Sequence, residues 1–364
     1  MRRTVVAPDK FKGSAGAYEV ASAIARGIRR VISAAEIVEL PLADGGDGTV
    51  ELFLEGGAQP RTATVHDPLG RPIEARFALD GERAIVELAG ASGLVLLADA
   101  ERDPWRADSR GTGELIRAAL DAGAREIVVG IGGSAVNDAG IGLLRALGAR
   151  TDPPDALHGI RAVDLSELDP RLRSTTLKIA SDVDNPLCGP EGASAVFGPQ
   201  KGAGPGDVPK LDAALSQTAD ALARALGRDL RGEPGAGAAG GTGFALLALG
   251  GTIRPGIEIV AELRGLAATL AGASLCITGE GAIDLQTLHG KTVDGVARYA
   301  ARAGVPVVAF GGSVDASAEE ALARRGVVCI PILARPVALA EAMRDAPALI
   351  EAAAARLARA LALA

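Results

Sequence analysis

Short apolar runs alternate with segments of helical spacing at both ends of the chain. Near the start, apolar runs at 4–8 and 36–42 flank a segment at 16–33 whose apolar residues recur at helical spacing. The alternation returns after about residue 271, with apolar runs at 274–278, 305–310 and 327–332. This order of elements predicts parallel strands joined by right-handed crossovers. Two strands from the start and three from the end predict a five-stranded parallel sheet.

The middle of the chain has a different pattern. Three extended segments, at 61–66, 72–79 and 84–88, are separated by the turn-forming sequences Asp-Pro-Leu-Gly and Asp-Gly. Strands joined by such tight turns pair antiparallel. Further helical and extended segments follow at 112–123, 127–131, 177–180 and 207–227. The middle therefore predicts a second α/β domain with a mixed sheet.

Length and composition support two domains. The chain has 364 residues, more than one ordinary domain needs, and 48% of them are hydrophobic. Aromatic residues make up only 2%, so the core must consist of small aliphatic side chains, as in buried parallel strands. We predict a discontinuous domain at 1–59 and 271–364, interrupted by an inserted domain at 60–270.

Charge and cysteine usage narrow the class of partner. The net charge is −7, and no basic patch with interleaved aromatic residues occurs, which argues against nucleic acid. Three scattered cysteines form neither a disulfide framework nor a metal motif. No apolar run approaches the roughly 20 residues of a membrane span, and the start has no signal-peptide pattern. We expect a cytoplasmic protein with a small-molecule partner, no nucleic acid and no membrane, and a homodimer as its candidate assembly.

Glycines and charged residues cluster where predicted strands end, the edge at which open α/β sheets bind ligands. The first cluster spans 9–14 and contains Lys10 and Lys12. Ser14 is the predicted N-cap of the helix that follows. Amides at a helix N-terminus and ammonium groups together favour an anion, so this cluster predicts a phosphate or carboxylate site.

Acidic residues in two further clusters are candidate magnesium ligands. Asp44 and Asp47 flank two glycines, and Glu280 lies in the sequence Thr-Gly-Glu-Gly at 278–281, which we interpret as a loop. Carboxylates near phosphate groups normally act through Mg²⁺, because the bare charges would repel.

The sequence Gly-Ile-Gly-Gly-Ser at 130–134 follows a predicted strand, so its amides can form an anion nest. It departs from the dinucleotide-binding fingerprint, and no strand with a ribose-binding acid follows near 150–158, which argues against a nicotinamide-dependent oxidoreductase. Gly290, Lys291 and Thr292 end like a Walker A loop, but Leu285 stands where its first glycine belongs. We therefore exclude a P-loop.

Asp182 and Asp184 follow the predicted strand at 177–180. One of them could hold a metal while the other polarises a hydroxyl group. Glycines for phosphate, lysines for charge and carboxylates for metal suit phosphoryl transfer, where catalysis is mostly positioning and electrostatic stabilisation. No Ser-His-Asp or metal-histidine constellation is apparent, which argues against acyl transfer and zinc chemistry.

Together these sequences resemble the glycerate kinase family of the two-domain, glycerate 2-kinase type, in family order and over almost the whole chain. They are Asp-Lys-Phe-Lys-Gly-Ser at 9–14, Ala-Asp-Gly-Gly-Asp-Gly-Thr at 43–49, Gly-Ile-Gly-Gly-Ser-Ala-Val-Asn-Asp at 130–138, Ser-Asp-Val-Asp-Asn-Pro-Leu at 181–187, Phe-Gly-Pro-Gln-Lys-Gly-Ala at 197–203 and Thr-Gly-Glu-Gly at 278–281. Family members usually have Glu, Thr and Gly at the positions of Asp47, Val136 and Ala139. Asp47 keeps the charge, whereas Val136 lacks a hydroxyl group and receives no catalytic role.

The resemblance implies an α/β protein of two domains. One is flavodoxin-like with a five-stranded parallel sheet, and the other has a mixed, restriction-endonuclease-like sheet. It also implies ATP- and Mg²⁺-dependent phosphorylation of D-glycerate at the 2-hydroxyl, giving 2-phosphoglycerate and ADP. A glycerate 3-kinase that gives 3-phosphoglycerate and a non-catalytic, two-lobed ligand-binding protein stay open as alternatives. A nuclease is suggested only by the second fold and is disfavoured by the acidic charge.

Residue chemistry within these sequences assigns the candidate roles. The candidate catalytic residues are Asp182, Asp184, Lys10 and Lys12. The candidate metal ligands are Asp44, Asp47 and Glu280. The candidate contacts to substrate or phosphate lie in or beside the glycine-rich loops: Ser14, Gly45, Gly46, Gly132, Gly133, Ser134, Asn137, Asn185, Lys201, Gly279, Gly281 and Lys291.

Overall fold

A computed structural model describes residues 3–363, apart from the side chain of His289. Within these residues the strands are, in chain order, β1 Thr4–Val6, β2 Ile37–Glu39, β3 Gln59–His66, β4 Pro72–Asp80, β5 Arg83–Glu87, β6 Glu126–Gly130, β7 Arg150–Asp152, β8 Ala162–Asp164, β9 Thr176–Ala180, β10 Thr252–Arg254, β11 Leu275–Ile283, β12 Val307–Val314 and β13 Val327–Pro331.

The α-helices of the same part of the chain are α1 Ala17–Arg29, α2 Thr49–Glu55, α3 Ala89–Ser92, α4 Arg110–Asp121, α5 Ile141–Ala146, α6 Ala193–Phe197, α7 Val208–Leu226, α8 Thr242–Ala248, α9 Gly256–Leu263, α10 Leu266–Leu270, α11 Thr292–Ala303, α12 Ala316–Ala323, α13 Leu339–Arg344 and α14 Ala346–Leu363. Short 3-10 helices lie at Leu94–Leu96, Asp99–Glu101, Pro170–Ser174, Pro199–Lys201, Ala238–Gly241 and Leu285–His289.

The chain forms two compact units. Unit 1 consists of the residues up to Asp44 and from Pro255 onward, and unit 2 of Gly45–Arg254. Both boundaries of unit 2 lie about 15 residues before the predicted ones at 59/60 and 270/271. The first differs because α2, which begins soon after Gly45, packs against β4 and β5 of unit 2. The division into independent domains stays a prediction.

The sheet of unit 1 is parallel throughout. Its strand order is β13-β12-β11-β1-β2. Numbered within the unit, this is the 2-1-3-4-5 order of flavodoxin-like sheets. The side chains of Val5 and Val6 in β1 are fully buried, as expected for a central parallel strand. The predicted five-stranded parallel sheet is confirmed.

Helices α1 and α14 pack against each other in unit 1. The buried face of α1 carries Val20, Ile24 and Ile28, three of the apolar residues at helical spacing in the sequence. Gly27 lies at the contact, where a Cβ would come within 2.3 Å of the Glu351 carbonyl oxygen. The backbones of the two helices therefore approach more closely than any larger residue permits.

The sheet of unit 2 is mixed, and its strand order is β10-β9-β6-β5-β4-β3. Strands β3, β4 and β5 pair antiparallel through tight turns, as predicted. Strands β5, β6, β9 and β10 pair parallel, so their carboxyl ends lie at one edge of the sheet. The predicted α/β class with a second, mixed sheet is confirmed.

The sequence-based prediction of β11 was too short. Thr278–Gly281 lies within the strand and not in a loop, because β12 continues to pair with β11 as far as Ile283 and Val314. After β13 the chain forms two helices, α13 and α14, which separate at Asp345. Pro347 follows the break, and proline is tolerated in the first turn of a new helix but not in a helix interior.

The short strands β7, β8 and β10 were not predicted. Each has three residues, too few for an alternating pattern to be recognised. Among residues 3–363, no helix is long and apolar enough to cross a membrane.

Gly27→Ala is expected to lower the free energy of unfolding by about 2 kcal/mol, because the added methyl group must push α1 away from α14. The matched control is Gly90→Ala in α3, where a Cβ meets no atom within 4 Å. The control should change the free energy of unfolding by less than about 1 kcal/mol. Chemical denaturation of both variants checks this, and equal losses would contradict the close contact of the two helices.

Candidate functional site

The carboxyl end of β1 lies beside the middle of β11 in unit 1. The Asp9 N–H donates to the Gly279 carbonyl at 2.9 Å, and the Thr278 hydroxyl donates to the Ala7 carbonyl at 2.8 Å. Asp9 and Glu280 both come after the last residue pair between β1 and β11. These bonds therefore place them together at the carboxyl edge of the parallel sheet. Ligands of open α/β sheets bind at this edge.

Asp9 is a buried carboxyl group, with 8% of its surface exposed. One oxygen accepts the Lys10 N–H at 2.6 Å, and the other accepts the Thr292 hydroxyl. Burial, and secondly the charge of Asp44, raise the pKa of Asp9 to about 7, although these hydrogen bonds oppose the shift. Near neutral pH the group therefore exists in both protonation states.

Glu280 has a similar environment. Its carboxylate accepts the Thr287 hydroxyl, and burial raises its pKa to about 7 against the effects of Thr287 and Lys291. The Lys291 ammonium group lies 3.8 Å from the Asp284 carboxylate. Thr287, between β11 and α11, and Thr292, the first residue of α11, thus each donate to a buried acid.

Three acidic groups, Asp9, Asp44 and Glu280, influence one another at this edge. The charge of Asp44 raises the pKa of Asp9, and the charge of Asp9 raises the pKa of Glu280. A divalent cation favours the ionised form of such carboxyls. Within residues 3–363, and leaving His289 aside, no group of three His, Cys, Asp or Glu side chains is gathered to hold a metal. Mg²⁺ commonly takes only one or two carboxylates and completes its shell with phosphate and water. The acids of unit 1 fit that demand.

Lys10, Lys12 and Ser14 lie in the connection from β1 to α1. Lys12 is exposed, and its backbone nitrogen lies close to Gly281, where a Cβ would be 3.3 Å away. The prediction that Ser14 is the N-cap of α1 is wrong. Helix α1 begins at Ala17 with Gly16 at the N-cap, because a turn in which the Ser14 N–H donates to the Phe11 carbonyl comes first.

In unit 2, two glycine-rich segments meet at the carboxyl end of β6. A Cβ at Gly130 would lie 2.3 Å from the Gly45 carbonyl oxygen, and one at Gly132 would lie 3.6 Å from the Gly46 Cα. Glycine is therefore required at position 130 by close backbone approach. Asp47, in the same segment as Gly45 and Gly46, is exposed.

The backbone amides of Gly132, Gly133 and Ser134 form the most distinctive feature of this edge. In the described part of the chain, none of these three N–H groups donates to a protein oxygen. The flanking backbone is fixed, because the Leu94 N–H donates to the Gly133 carbonyl and the Ala135 N–H to the Ser92 carbonyl. Gly133 has a φ of 72°, which turns successive amides toward one side. Three consecutive free amides on a fixed loop suit an anion.

Asp182, Asp184 and Asn185 follow β9, the parallel neighbour of β6. Both aspartates are exposed, and the Asn185 amide group donates to the Glu191 carbonyl at 2.8 Å. The Ile131 N–H donates to the Ala180 carbonyl at 3.3 Å, so the two connections start in contact. The structure brings the acidic segment and the free amides to one edge.

Asn137 and Lys201 are interior residues. Asn137 is fully buried, and its amide group donates to the Ser194 hydroxyl at 3.0 Å. Lys201 is 1% exposed, and its ammonium group donates to the Val136 carbonyl at 2.7 Å. Burial lowers the pKa of Lys201 to about 7, while the charge of Asp138 opposes the shift. Direct contact of either side chain with a ligand stays a prediction.

The predicted site residues therefore form two groups, one at the carboxyl edge of each sheet. Unit 1 holds Lys10, Lys12, Ser14, Asp44, Gly279, Glu280, Gly281 and Lys291. Unit 2 holds Gly45, Gly46, Asp47, Gly132, Gly133, Ser134, Asn137, Asp182, Asp184, Asn185 and Lys201.

Sequence reasoning missed the roles of Asp9, Thr287, Thr292 and Asp138. Asp138 is fully buried and accepts four hydrogen bonds, from the backbone and hydroxyl of Ser109 and from two backbone N–H groups of the α5 start. Asp9 and Asp138 lie in the motifs quoted above, which was the available signal. The threonines are joined to their acids only by the fold, since Thr292 lies 283 positions from Asp9.

Comparison with known proteins identifies the family. Residues 4–362 match the model of the glycerate kinase family. The chain is 46% identical over 326 residues to a glycerate kinase of Bacillus subtilis (strain 168), covering 86% of this chain and 85% of that one. It is 45% identical over 326 residues to a glycerate 2-kinase of Escherichia coli (strain K12), with the same coverage.

A solved structure agrees with these relatives. The crystal structure of a protein assigned as glycerate kinase 2 from Salmonella typhimurium LT2 matches with a TM-score of 0.90 and 43% sequence identity. The match covers 100% of this chain and 98% of that one. The chain belongs to the glycerate kinase family and is an enzyme of the kinase class.

Proposed function

We propose that the protein phosphorylates D-glycerate with ATP and Mg²⁺ at the 2-hydroxyl group and releases 2-phosphoglycerate and ADP. The observation that carries the proposal is the run of three free amides at Gly132–Ser134, next to the acidic segment that follows β9. The choice of the 2-position rests on the similarity to the Escherichia coli glycerate 2-kinase. A cytoplasmic location and a homodimer stay predictions from the sequence.

The free amides of Gly132, Gly133 and Ser134 would bind phosphate oxygens of ATP. Backbone donors on a fixed loop suit phosphoryl transfer, because they need no reorganisation as negative charge moves between oxygens. Gly45 and Gly46 support this loop by lying against Gly130 and Gly132. The absence of side chains at these glycines lets a ligand approach the backbone.

Asp44 and Glu280 would hold the metal in unit 1, where buried acids already repel one another. Bound there, Mg²⁺ supplies positive charge to the phosphate groups. Lys10 and Lys12 would attract the carboxylate of glycerate or a phosphate group. Asp47, exposed in unit 2, stays a predicted third ligand.

Asp182 or Asp184 would orient the glycerate 2-hydroxyl and accept its proton. Both are exposed side chains at the end of β9, so they are accessible to a substrate. A carboxylate that accepts a hydroxyl proton is a common device in kinases. Exposure does not distinguish the two aspartates, so both stay candidates for this role.

The product identifies the hydroxyl group. With ATP, Mg²⁺ and D-glycerate, we expect ADP release and a product that enolase converts directly, without a mutase. Phosphorus NMR of the reaction mixture provides an independent identification. A product that needs the mutase would assign the 3-hydroxyl instead, and no glycerate-dependent ADP release would refute the proposed activity.

Replacement of the catalytic carboxylate should remove most of the turnover. For Asp182→Asn or Asp184→Asn, whichever is the base, we expect kcat to fall roughly 10²–10⁴-fold with little change in the melting temperature, because the side chain is exposed. Glu82→Gln, an exposed acid elsewhere in unit 2, is the control and should retain full activity. Full activity in both aspartate variants would exclude this role.

Removal of the metal should abolish turnover reversibly. EDTA is expected to stop ADP release, and Mg²⁺ should restore it. If Asp44 and Glu280 hold the metal, Asp44→Asn and Glu280→Gln should raise the Mg²⁺ concentration for half-maximal activity by roughly tenfold. Glu320→Gln, an exposed acid on α12, is the control. Unchanged Mg²⁺ dependence in both site variants would place the metal elsewhere.

A further inference from the structure

Lys201 is enclosed in unit 2 by a backbone that leaves its side chain little freedom. It ends a 3-10 turn, and its N–H donates to the Gly198 carbonyl at 3.0 Å. A Cβ at Gly198 would lie 2.3 Å from the Ser194 carbonyl oxygen, and one at Gly202 would lie 2.3 Å from the Arg102 carbonyl oxygen. Gly202 also has a φ of 100°. Close contacts on both sides therefore fix where the Lys201 side chain enters the interior.

A lysine in this place is costly, because the ammonium group loses its hydration. The ammonium group is stabilised by its hydrogen bond of 2.7 Å to the Val136 carbonyl and by the nearby opposite charge of Asp138. An apolar residue of similar length would fill the space without that desolvation penalty. The presence of a cation thus indicates that the Val136 carbonyl has to be held.

Val136 joins the free amides to the anchored start of α5. Before it, the Ala135 N–H donates to the Ser92 carbonyl, and after it Asp138 accepts four hydrogen bonds. A Cβ at Gly240 would lie 1.9 Å from the Val136 carbonyl oxygen, so a second backbone segment closes over the same carbonyl. Lys201 supplies the side-chain contact to this junction.

Asn137 connects the same two segments. Its amide group donates to the Ser194 hydroxyl in α6, while its Oδ1 is fully buried and has no partner among the described atoms. The segment at 194–202 therefore contacts both residues: Lys201 donates to the Val136 carbonyl, and Ser194 accepts from the Asn137 side chain.

We propose that Lys201 is a positioning residue, whose ammonium group holds the Val136 carbonyl and thereby keeps the amides of Gly132–Ser134 in place for the phosphate groups of a nucleotide. This inference rests on the proposed role of that loop in binding ATP. It changes the expectation for Lys201 from a phosphate contact to a support of the loop that makes the contact.

The test is Lys201→Met, which keeps an unbranched apolar side chain only one atom shorter and removes the donor. The control is Lys210→Met, an exposed lysine of α7. Measured well below the melting temperature, Lys201→Met should raise the KM for ATP roughly tenfold, the loss expected for one charged hydrogen bond. The KM for glycerate should change less than about twofold, since the loop does not bind it. Lys210→Met should match the parent in both constants.

A stability measurement separates positioning from general structural support. Removal of a buried cation relieves its desolvation, so the melting temperature of Lys201→Met should stay within about 5 °C of the parent. An unchanged KM for ATP would overturn the inference. A fall in kcat alone, with both Michaelis constants unchanged, would also overturn it, because that pattern reflects a smaller folded fraction.

A second variant tests the loop itself. Gly133→Ala strains the positive φ of 72° and should raise the KM for ATP whether or not Lys201 has a role. If Gly133→Ala raises it and Lys201→Met does not, the positioning role is wrong and the loop assignment stands. If neither variant changes ATP binding, the loop assignment in the proposed function fails, and the role of Lys201 fails with it.

Discussion

Close approach of backbone segments at the carboxyl edge of the unit 2 sheet is the constraint on which its candidate site depends. A Cβ at Gly240 would lie 1.9 Å from the Val136 carbonyl oxygen. A Cβ at Gly237 would lie 2.1 Å from the Pro186 carbonyl oxygen, and a Cβ at Gly130 would lie 2.3 Å from the Gly45 carbonyl oxygen. The first two contacts join the loops after β6 and β9 to the glycine-rich segment before α8, and the third joins the end of β6 to the segment that contains Gly45. The amides at Gly132–Ser134 can stay without protein acceptors because the backbone around them is fixed by this packing.

Unit 1 concentrates charge instead of amides. Asp9 is buried just after the end of β1, and Glu280 is buried within the neighbouring strand β11. Asp9 accepts the hydroxyl of Thr292, the first residue of α11, and Glu280 accepts the hydroxyl of Thr287. Burial of two acids in one place costs free energy, and proteins normally tolerate that cost where the groups have a chemical task. Unit 1 thus buries acidic groups at its edge, whereas unit 2 presents backbone amides beside exposed aspartates.

Much of the fold was predictable because the buried strands of both sheets appear in the sequence as apolar runs. The five strands of unit 1, their parallel pairing and the antiparallel β3, β4 and β5 followed from apolar spacing and turn residues. The bounds of β11 did not, because pairing with β12 carries the strand through Thr278–Gly281. The backbone conformation of Ala139 was not predicted either. It has a φ of 56°, a conformation that favours glycine, and hydrogen bonds at Asp138 and Gly240 hold it there.

By itself the sequence determined the family, the α/β class and the loops that carry the candidate chemistry, because glycine and charged residues at strand ends are local signals. Only the tertiary structure decided where those residues lie and which groups they contact. It placed Lys201 and Asn137 in the interior, joined Asp9 to Thr292 across 283 positions and left three successive amides without acceptors among residues 3–363. Burial and hydrogen bonding between distant segments arise only when the chain is folded, so residue type and spacing could not reveal them.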